Sequence, residues 1–426
     1  MLKWIASSIL LISTHNLLIA QFCINERFTQ ADYFTENEII IQNDVSYGLA
    51  DDWYLDIPQP LQNSFNIAYP NTSIDLLDKR PLVVLAHGGG FWGGEKESLD
   101  DIIQGLAKKG FVAVSLNYRK GWDAYGDPTG CDGDGESLNQ AVYKSMQDVQ
   151  ACIRYLVFNA ATYGIDTSWI FAGGESAGLY AILNSNYITQ PEWNGLFPDY
   201  EFMFGPVMDA VNDINIDYSI KGFINMWGGV LDTGALTDND IKPMISFYGT
   251  SDDVVPPYSG SFQNCENYAF IYGSASLNDY LDDHNVCNAL HTRIGYGHDA
   301  YDHQYVTDNI SCFMKSLFCN DCNNYEVNYE LADCSAMQAT DINDIALEIT
   351  DIYPNPASEY VIINSAELND QFQLILTNAT GSSIRVDYTV NGSAINLNTK
   401  DLAGGIYFFT LIGKNFIKSG RFVIVE

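Results

Sequence analysis

The chain has 426 residues, 47% of them hydrophobic and only 17% charged, so it can bury a real core and disorder is not the expected state. Its length suits one large globular unit with a smaller one attached. With 20 Lys+Arg against 54 Asp+Glu the formal net charge is −34, which repels nucleic-acid phosphates and anionic lipid surfaces and argues against a polyanionic partner.

Residues 1–20 carry Lys3, apolar runs at Ile9 to Leu11 and Leu17 to Ile19, and end on Ala20 before a polar stretch. That pattern is a secretory signal peptide. Cys23 lacks the small preceding residue that a lipid-anchored start requires, and no other segment reaches the roughly 18 apolar residues of a membrane span. Nine cysteines in an exported chain are expected to form disulfides rather than a metal or redox site. Loops from Cys131 to Cys152 and from Cys265 to Cys287 are candidates for closure. Cys312 and Cys319 lie about 10.5 Å apart along an expected helix, too far to bridge each other, and are expected to pair elsewhere, with Cys322 and Cys334 available. No metal site is expected. Asp132-Gly-Asp-Gly-Glu136 has the composition of a calcium loop, but such runs are more often solvated turns.

From residue 82 onward, apolar strands alternate with helical patterns, as in parallel α/β folds. Leu82 to Ala86, Phe111 to Leu116, Trp169 to Ala172, Gly222 to Met226 and Met244 to Tyr248 read as buried strands, and Tyr143, Met146, Val149, Ile153 and Leu156 recur at helical spacing. A doubly wound, mostly parallel sheet follows, with its active site at the carboxyl ends of the strands.

Gly174-Glu-Ser-Ala-Gly178 follows one of these strands and precedes a helical run, the setting of a nucleophile elbow that holds the Ser176 hydroxyl exposed. Upstream, His87-Gly-Gly-Gly-Phe-Trp-Gly-Gly94 ends another strand, and the amides of Gly89 and Gly90, with that of Ala177, are candidates for an oxyanion hole. Downstream come Tyr248-Gly-Thr-Ser-Asp-Asp-Val-Val-Pro256 and Gly295-Tyr-Gly-His298. Serine, acid and histidine thus stand in the order Ser176, Asp252, His298. The residue types suit the chemistry: a neutral imidazole takes the proton of an otherwise poor hydroxyl nucleophile, and a carboxylate fixes the tautomer. Asp253 is the alternative acid. His284, His291 and His303 are alternative bases, though none sits in a Gly-x-Gly-His turn. Glu175 is expected to pair with a cation beside the nucleophile, with a catalytic-acid role as the alternative, and the aromatic stretch from Tyr187 to Tyr218 is either a cap over the site or ordinary core.

His87-Gly-Gly-Gly-Phe91, Ser115-Leu-Asn-Tyr-Arg119 and Gly174-Glu-Ser-Ala-Gly178 together resemble the carboxylesterase branch of the α/β-hydrolases, over roughly Trp53 to Phe318. The resemblance implies hydrolysis of a carboxylic ester through an acyl-enzyme, without a cofactor, with Gly89, Gly90 and Ala177 as oxyanion donors. The Asp in a GTSDDVVP context departs from the Glu usual in long type-B carboxylesterases, and the shorter chain gives no reason to expect their deep gorge. An acetyl or feruloyl esterase acting on plant cell walls, a lipase, and a catalytically silent binding protein on the same scaffold are the other readings. A peptidase is disfavoured because the serine peptidases of this fold usually carry Tyr, where this chain has Ala177.

Between about Asp321 and Ile349 the chain becomes rich in Asn and Asp and loses periodicity. The expected divisions are an α/β-hydrolase unit over 21–335, a linker over 336–349 and a small all-β sandwich over 350–426. Within the last, Tyr353-Pro-Asn-Pro-Ala357, Leu402-Ala-Gly-Gly-Ile-Tyr407 and the closing Lys418 to Val425 strand resemble the C-terminal sorting domain of Bacteroidetes type IX secretion cargo. That implies export through the periplasm, secretion machinery as a partner, and release or attachment at the cell surface.

Overall fold

The computed structural model describes residues 22–23, 26–54, 57–127, 129–208, 210–236, 241–329, 352–364, 372–378, 383–413 and 417–425. The expected signal peptide (1–20) and linker (336–349), with Cys334, lie outside the described residues. The chain divides into two compact units, Met1–Asp333 and Cys334–Glu426. Among the described residues no helix is long and apolar enough to cross a membrane.

The first unit is built on a nine-stranded sheet: β1 (Ile39–Tyr54), β2 (Ile57–Pro70), β3 (Arg80–Ala86), β4 (Val112–Leu116), β5 (Ile165–Glu175), β6 (Ile220–Met226), β7 (Met244–Gly249), β8 (Asn288–Arg293) and β9 (Tyr325–Asn328). Their spatial order is β1-β2-β4-β3-β5-β6-β7-β8-β9. β1 and β2 form an antiparallel hairpin, β2 joins β4 antiparallel, and every later pairing is parallel. This mostly parallel sheet with helices on both faces is the α/β-hydrolase fold. The five strands expected from apolar runs are all present. The long hairpin was not anticipated, because its exposed, polar-interrupted strands lack the continuous apolar run of a strand buried on both faces.

β3 shows why the central strands are apolar throughout. Leu82, Val84 and Ala86 join the core on one face, while Val83 and Leu85 join the core on the other. The first face is covered by α2 (Gly135–Phe158) and α3 (Ala177–Tyr187), the second by α1 (Asp100–Lys109) and α7 (His303–Phe318). Short helices α4 (Gln190–Leu196) and α5 (Tyr200–Phe204) follow α3, and α6 (Ser274–Asp283) precedes β8. Asp134 caps α2 by accepting from the Glu136 and Ser137 amides. The acidic run at 132–136 is therefore in part a helix start.

The C-terminal unit has two antiparallel four-stranded sheets. Inward alternation places Val361, Ile363, Ile395, Leu397, Phe409, Leu411 and Phe422 in a shared core, as a sandwich requires. The Tyr353 to Ala357 motif is tied to the closing strand: Ala357 donates its amide to Val423 and accepts from that of Val425, and Asn355 Oδ1 accepts from the Val423 amide.

The cysteine pairing differs from the expected loops. Cys131 bridges Cys265, Cys287 bridges Cys322, and Cys23 bridges Cys319. Cys312 is disulfide-bonded as well. Cys152 is a free thiol on the inner face of α2, fully buried, whereas Cys131 lies in the surface loop before that helix with its Cα 5.3 Å from that of Cys265. Helix orientation, which loop length cannot reveal, decides the partner. Burial also pushes the Cys152 thiol well above its ordinary pKa. Iodoacetamide should therefore leave Cys152 unmodified in the native protein and alkylate it only in denaturant, as read by peptide mass spectrometry; labelling under native conditions would show that α2 opens.

Candidate active site

Ser176 sits between the end of β5 and the first turn of α3 with φ 47° and ψ −114°, a strained conformation held by its amide bonding to the Met226 carbonyl at 2.9 Å. The turn is this tight because β3 runs against it. A Cβ on Gly178 would lie 2.2 Å from the Ala86 carbonyl oxygen, and one on Gly174 would lie 2.4 Å from the same atom. Only glycine fits at either place.

Asp252 and His298 reach the same point from the loops after β7 and β8. His298 Nε2 lies 2.9 Å from Ser176 Oγ and its Nδ1 lies 2.8 Å from Asp252 Oδ2. These partners assign the Nδ1–H tautomer, donating to the carboxylate and accepting from the serine hydroxyl. Asp252 is buried, and its other oxygen accepts from the Val254 and Val255 amides at 2.9 and 3.0 Å. Asp253 points outward and is exposed.

The two loops are stitched together: the Thr250 amide donates to the Arg293 carbonyl, the Ser251 amide to the Tyr296 carbonyl, and the Gly295 amide to Thr250 Oγ1. Arg293 stiffens the histidine loop further. Its guanidinium lies 3.8 Å from the ring centre of Tyr296 and 4.2 Å from that of Tyr329, and donates to the Ala300 carbonyl. No sequence pattern marked this clamp, because Tyr329 arrives from beyond β9.

The other histidines have other roles. His291 is buried against Phe247 and bonded to Tyr305, and burial pushes its pKa down to about 3. His284 caps α6, next to the Tyr280 carbonyl. His303 lies 3.2 Å from Glu175 and is the ionisable partner of the carboxylate next to Ser176. The hydrogen bond and charge of Glu175 raise the His303 pKa against its partial burial, and Asp101 and Asp299, the other charges facing it, add to the rise.

Gly89 (φ 114°) and Gly90 (φ 62°) form the turn after β3. Among the described residues, the amides of Gly89, Gly90 and Ala177 have no hydrogen-bond partner. Gly90, Ser176 and Ala177 line one small apolar pocket, and Gly89, just before Gly90, holds the turn closed by accepting from the Trp92 and Gly93 amides. His87 supports the turn from below, stacked on Tyr118 with ring centres 4.4 Å apart and its Nδ1 2.6 Å from the Gly88 carbonyl. Burial pushes its pKa down to about 4, so it stays neutral. Tyr118 donates to the His87 carbonyl, and the neighbouring Arg119 pairs with buried Asp148 of α2, so the Ser115 to Arg119 motif is the underpinning of the glycine loop.

Among the described residues no cluster of His, Cys, Asp or Glu could hold a metal ion. The aromatic stretch between α3 and β6 packs mainly as core: Trp193, Tyr200 and Phe204 surround Tyr143 of α2. Phe202, 93% exposed, is the exception.

Residues 351–426 match the secretion system C-terminal sorting domain, which marks the chain for export and for secretion or surface attachment. A stretch of 117 residues is 32% identical to a neuroligin-like protein of Caenorhabditis elegans; it makes up 28% of this chain and 15% of that protein's length. Among solved structures, an esterase of the planctomycete Thermogutta terrifontis with propionate bound is 18% identical, covering 66% of this chain and 94% of that one, with a TM-score of 0.45. A truncated carbohydrate esterase from gut microbiota is also 18% identical, covering 68% and 98%, with a TM-score of 0.43.

The His303–Glu175 contact has a pH signature. A histidine whose pKa is raised on folding contributes stability that is fully present below about pH 6.5 and is lost as the pH climbs through the raised value. His303→Gln should therefore lower the melting temperature by about 2 °C or more at pH 6, with the difference from wild type shrinking towards pH 9. A pH-independent difference would mean that His303 contributes packing alone.

Proposed function

We propose that the first unit is a serine hydrolase of carboxylic esters, exported by its sorting domain. The observation that carries this reading is the unbroken hydrogen-bonded line from Asp252 through His298 to Ser176, which shares its pocket with Gly90 and Ala177. In the first half-reaction Ser176 Oγ bonds to the ester carbonyl carbon while its proton passes to His298 Nε2. The oxygen that becomes negative faces the amides of Gly89, Gly90 and Ala177, each such donor typically contributing about 3 kcal/mol in the transition state. The tetrahedral centre collapses, the C–O bond to the alcohol breaks, and Nε2 returns the proton to the leaving oxygen. Water then repeats the sequence on the acyl-enzyme, releasing the acid and restoring the serine. Asp252 stabilises the imidazolium in both halves without itself taking the proton.

Ser176→Ala and His298→Ala should each lower kcat for p-nitrophenyl acetate by about 10⁴-fold or more while the melting temperature stays close to wild type. Asp252→Asn should cost on the order of 10³-fold or more, and Asp253→Asn less than about twofold. Near-normal turnover by Ser176→Ala would overturn the assignment, and a larger loss in Asp253→Asn than in Asp252→Asn would move the acid.

Arg293 acts in this reading as a positioning residue for His298. Arg293→Ala should lower kcat by about tenfold with KM nearly unchanged, and Arg293→Lys should recover little, since an ammonium keeps the charge but not the planar stack between two tyrosines. A change in KM alone, or full recovery by Lys, would count against positioning.

A further inference from the structure

Ser176 opens onto very little space. The pocket above it has a volume of about 30 Å³ and is walled by Phe91, Leu138, Val142, Val255, Phe262 and Ile271, all buried. That volume holds on the order of two water-sized groups. Its lining is almost wholly apolar.

The walls are not free to retreat. Leu138 and Val142 stand one turn apart on α2, a 24-residue helix packed along the core. Phe91 packs between Tyr118 and Tyr180, with ring centres 6.0 and 6.3 Å away. Phe262 packs on Trp122 and Tyr268, at 5.8 and 5.9 Å, and three residues later the chain is fastened by the Cys131–Cys265 disulfide. A larger cleft of about 480 Å³ exists nearby, but it shares only Ala269 with the pocket. Along the strand Phe270–Gly273, Phe270 and Tyr272 face that cleft while Ile271 faces the pocket, so strand alternation puts the two on opposite sides of one wall.

We propose that this pocket restricts the acyl group to acetyl or propionyl size, and that Leu138, Val142 and Phe262 set the limit. The inference rests on the reading of Ser176 as nucleophile and sharpens it. Esters of acetic and propionic acid fit; feruloyl esters and long-chain lipids do not, because their acyl parts exceed the pocket several-fold. A charged acyl group is disfavoured as well, since the pocket would desolvate it without a partner. Chain-length preference thus follows from a wall carried by α2, an element that holds none of Ser176, Asp252 and His298.

The test uses the full-length folded protein and p-nitrophenyl acetate, butyrate, hexanoate and octanoate, with a methylphosphonate ester as probe of the nucleophile. The kcat/KM of wild type should fall by at least about tenfold from acetate to hexanoate. Val142→Ala and Leu138→Ala should each shrink that ratio by about fivefold, and Cys131→Ser/Cys265→Ser should shrink it too by releasing Phe262. If a variant folds poorly, Ile271→Val supplies a milder enlargement with the same expected direction. Hexanoate turned over as well as acetate by wild type, while the phosphonate labels Ser176, overturns the size limit and leaves the hydrolase reading intact. An unchanged ratio in every enlarged variant overturns the assignment of the limiting residues. No hydrolysis of any ester, with Ser176 unlabelled, overturns the hydrolase reading itself.

Discussion

The close approach of β3 to the start of α3 is the constraint on which the rest of the site depends. The Ala86 carbonyl presses on the backbone of both Gly174 and Gly178, so the glycine loop that leaves β3 and the serine that leaves β5 are brought together by one packing contact. Any side chain at those two positions would push the strand and the helix apart. With them would go Gly90 and Ala177, which line the same small pocket as Ser176. The strained backbone of Ser176 is the local cost of that arrangement, and the parallel pairing of β5 with β3 and β6 over-determines it.

A second set of contacts solves a different problem, since His298 and Asp252 ride on loops and loops are intrinsically mobile. Here the two are stitched to each other by backbone hydrogen bonds before either meets the serine, and Arg293 closes the histidine loop between two tyrosine faces. The Cys287–Cys322 disulfide lies on the same side of the problem. It joins the residue just before β8 to the segment just before β9, fixing the neighbouring strands from which His298 and Tyr329 emerge. A site built on the loops after β7 and β8 thereby gains the rigidity of the sheet beneath it.

How much of this was legible in the chain follows from the range of the interactions. Strands buried on both faces announce themselves by continuous apolar runs, and the glycine-flanked serine, the Asp-Asp turn and the Gly-x-Gly-His turn are local patterns with local reasons. Asp252 and His298 could be expected in loops that meet at Ser176 for that reason, and Glu175 could be expected to find a cation. That its partner is His303 was not readable, because α7 reaches the elbow only through the tertiary fold. The disulfides failed on the same ground. Loop lengths favoured Cys131 with Cys152, but α2 turns Cys152 inward, and a partner 134 residues away lies within bridging distance instead. The β1–β2 hairpin was missed because it is half exposed and its pattern is broken by polar residues and bulges.

The distribution of charge sharpens what the composition alone could say. At least eight of the 20 cationic side chains, Arg27, Arg80, Lys96, Lys109, Arg119, Lys144, Arg154 and Lys315, are buried, whereas among the described residues the buried carboxylates are those of Asp148, Asp166, Asp252 and Asp75, the side chain of the last being 1% exposed. Arg27 and Arg80 grip Asp75, Arg119 grips Asp148, and Lys109 reaches Asp308. The cations thus serve the interior, and the surface is more acidic than the net charge of −34 alone suggests. Such a surface repels anionic polymers and lipids at long range. The disulfides require an oxidising compartment, the one to which the sorting domain consigns the chain. Export therefore does more than deliver this protein: the bond between Cys131 and Cys265, which fastens a wall of the pocket above Ser176, persists only where thiols are oxidised, so the shape of the site is completed outside the cytoplasm.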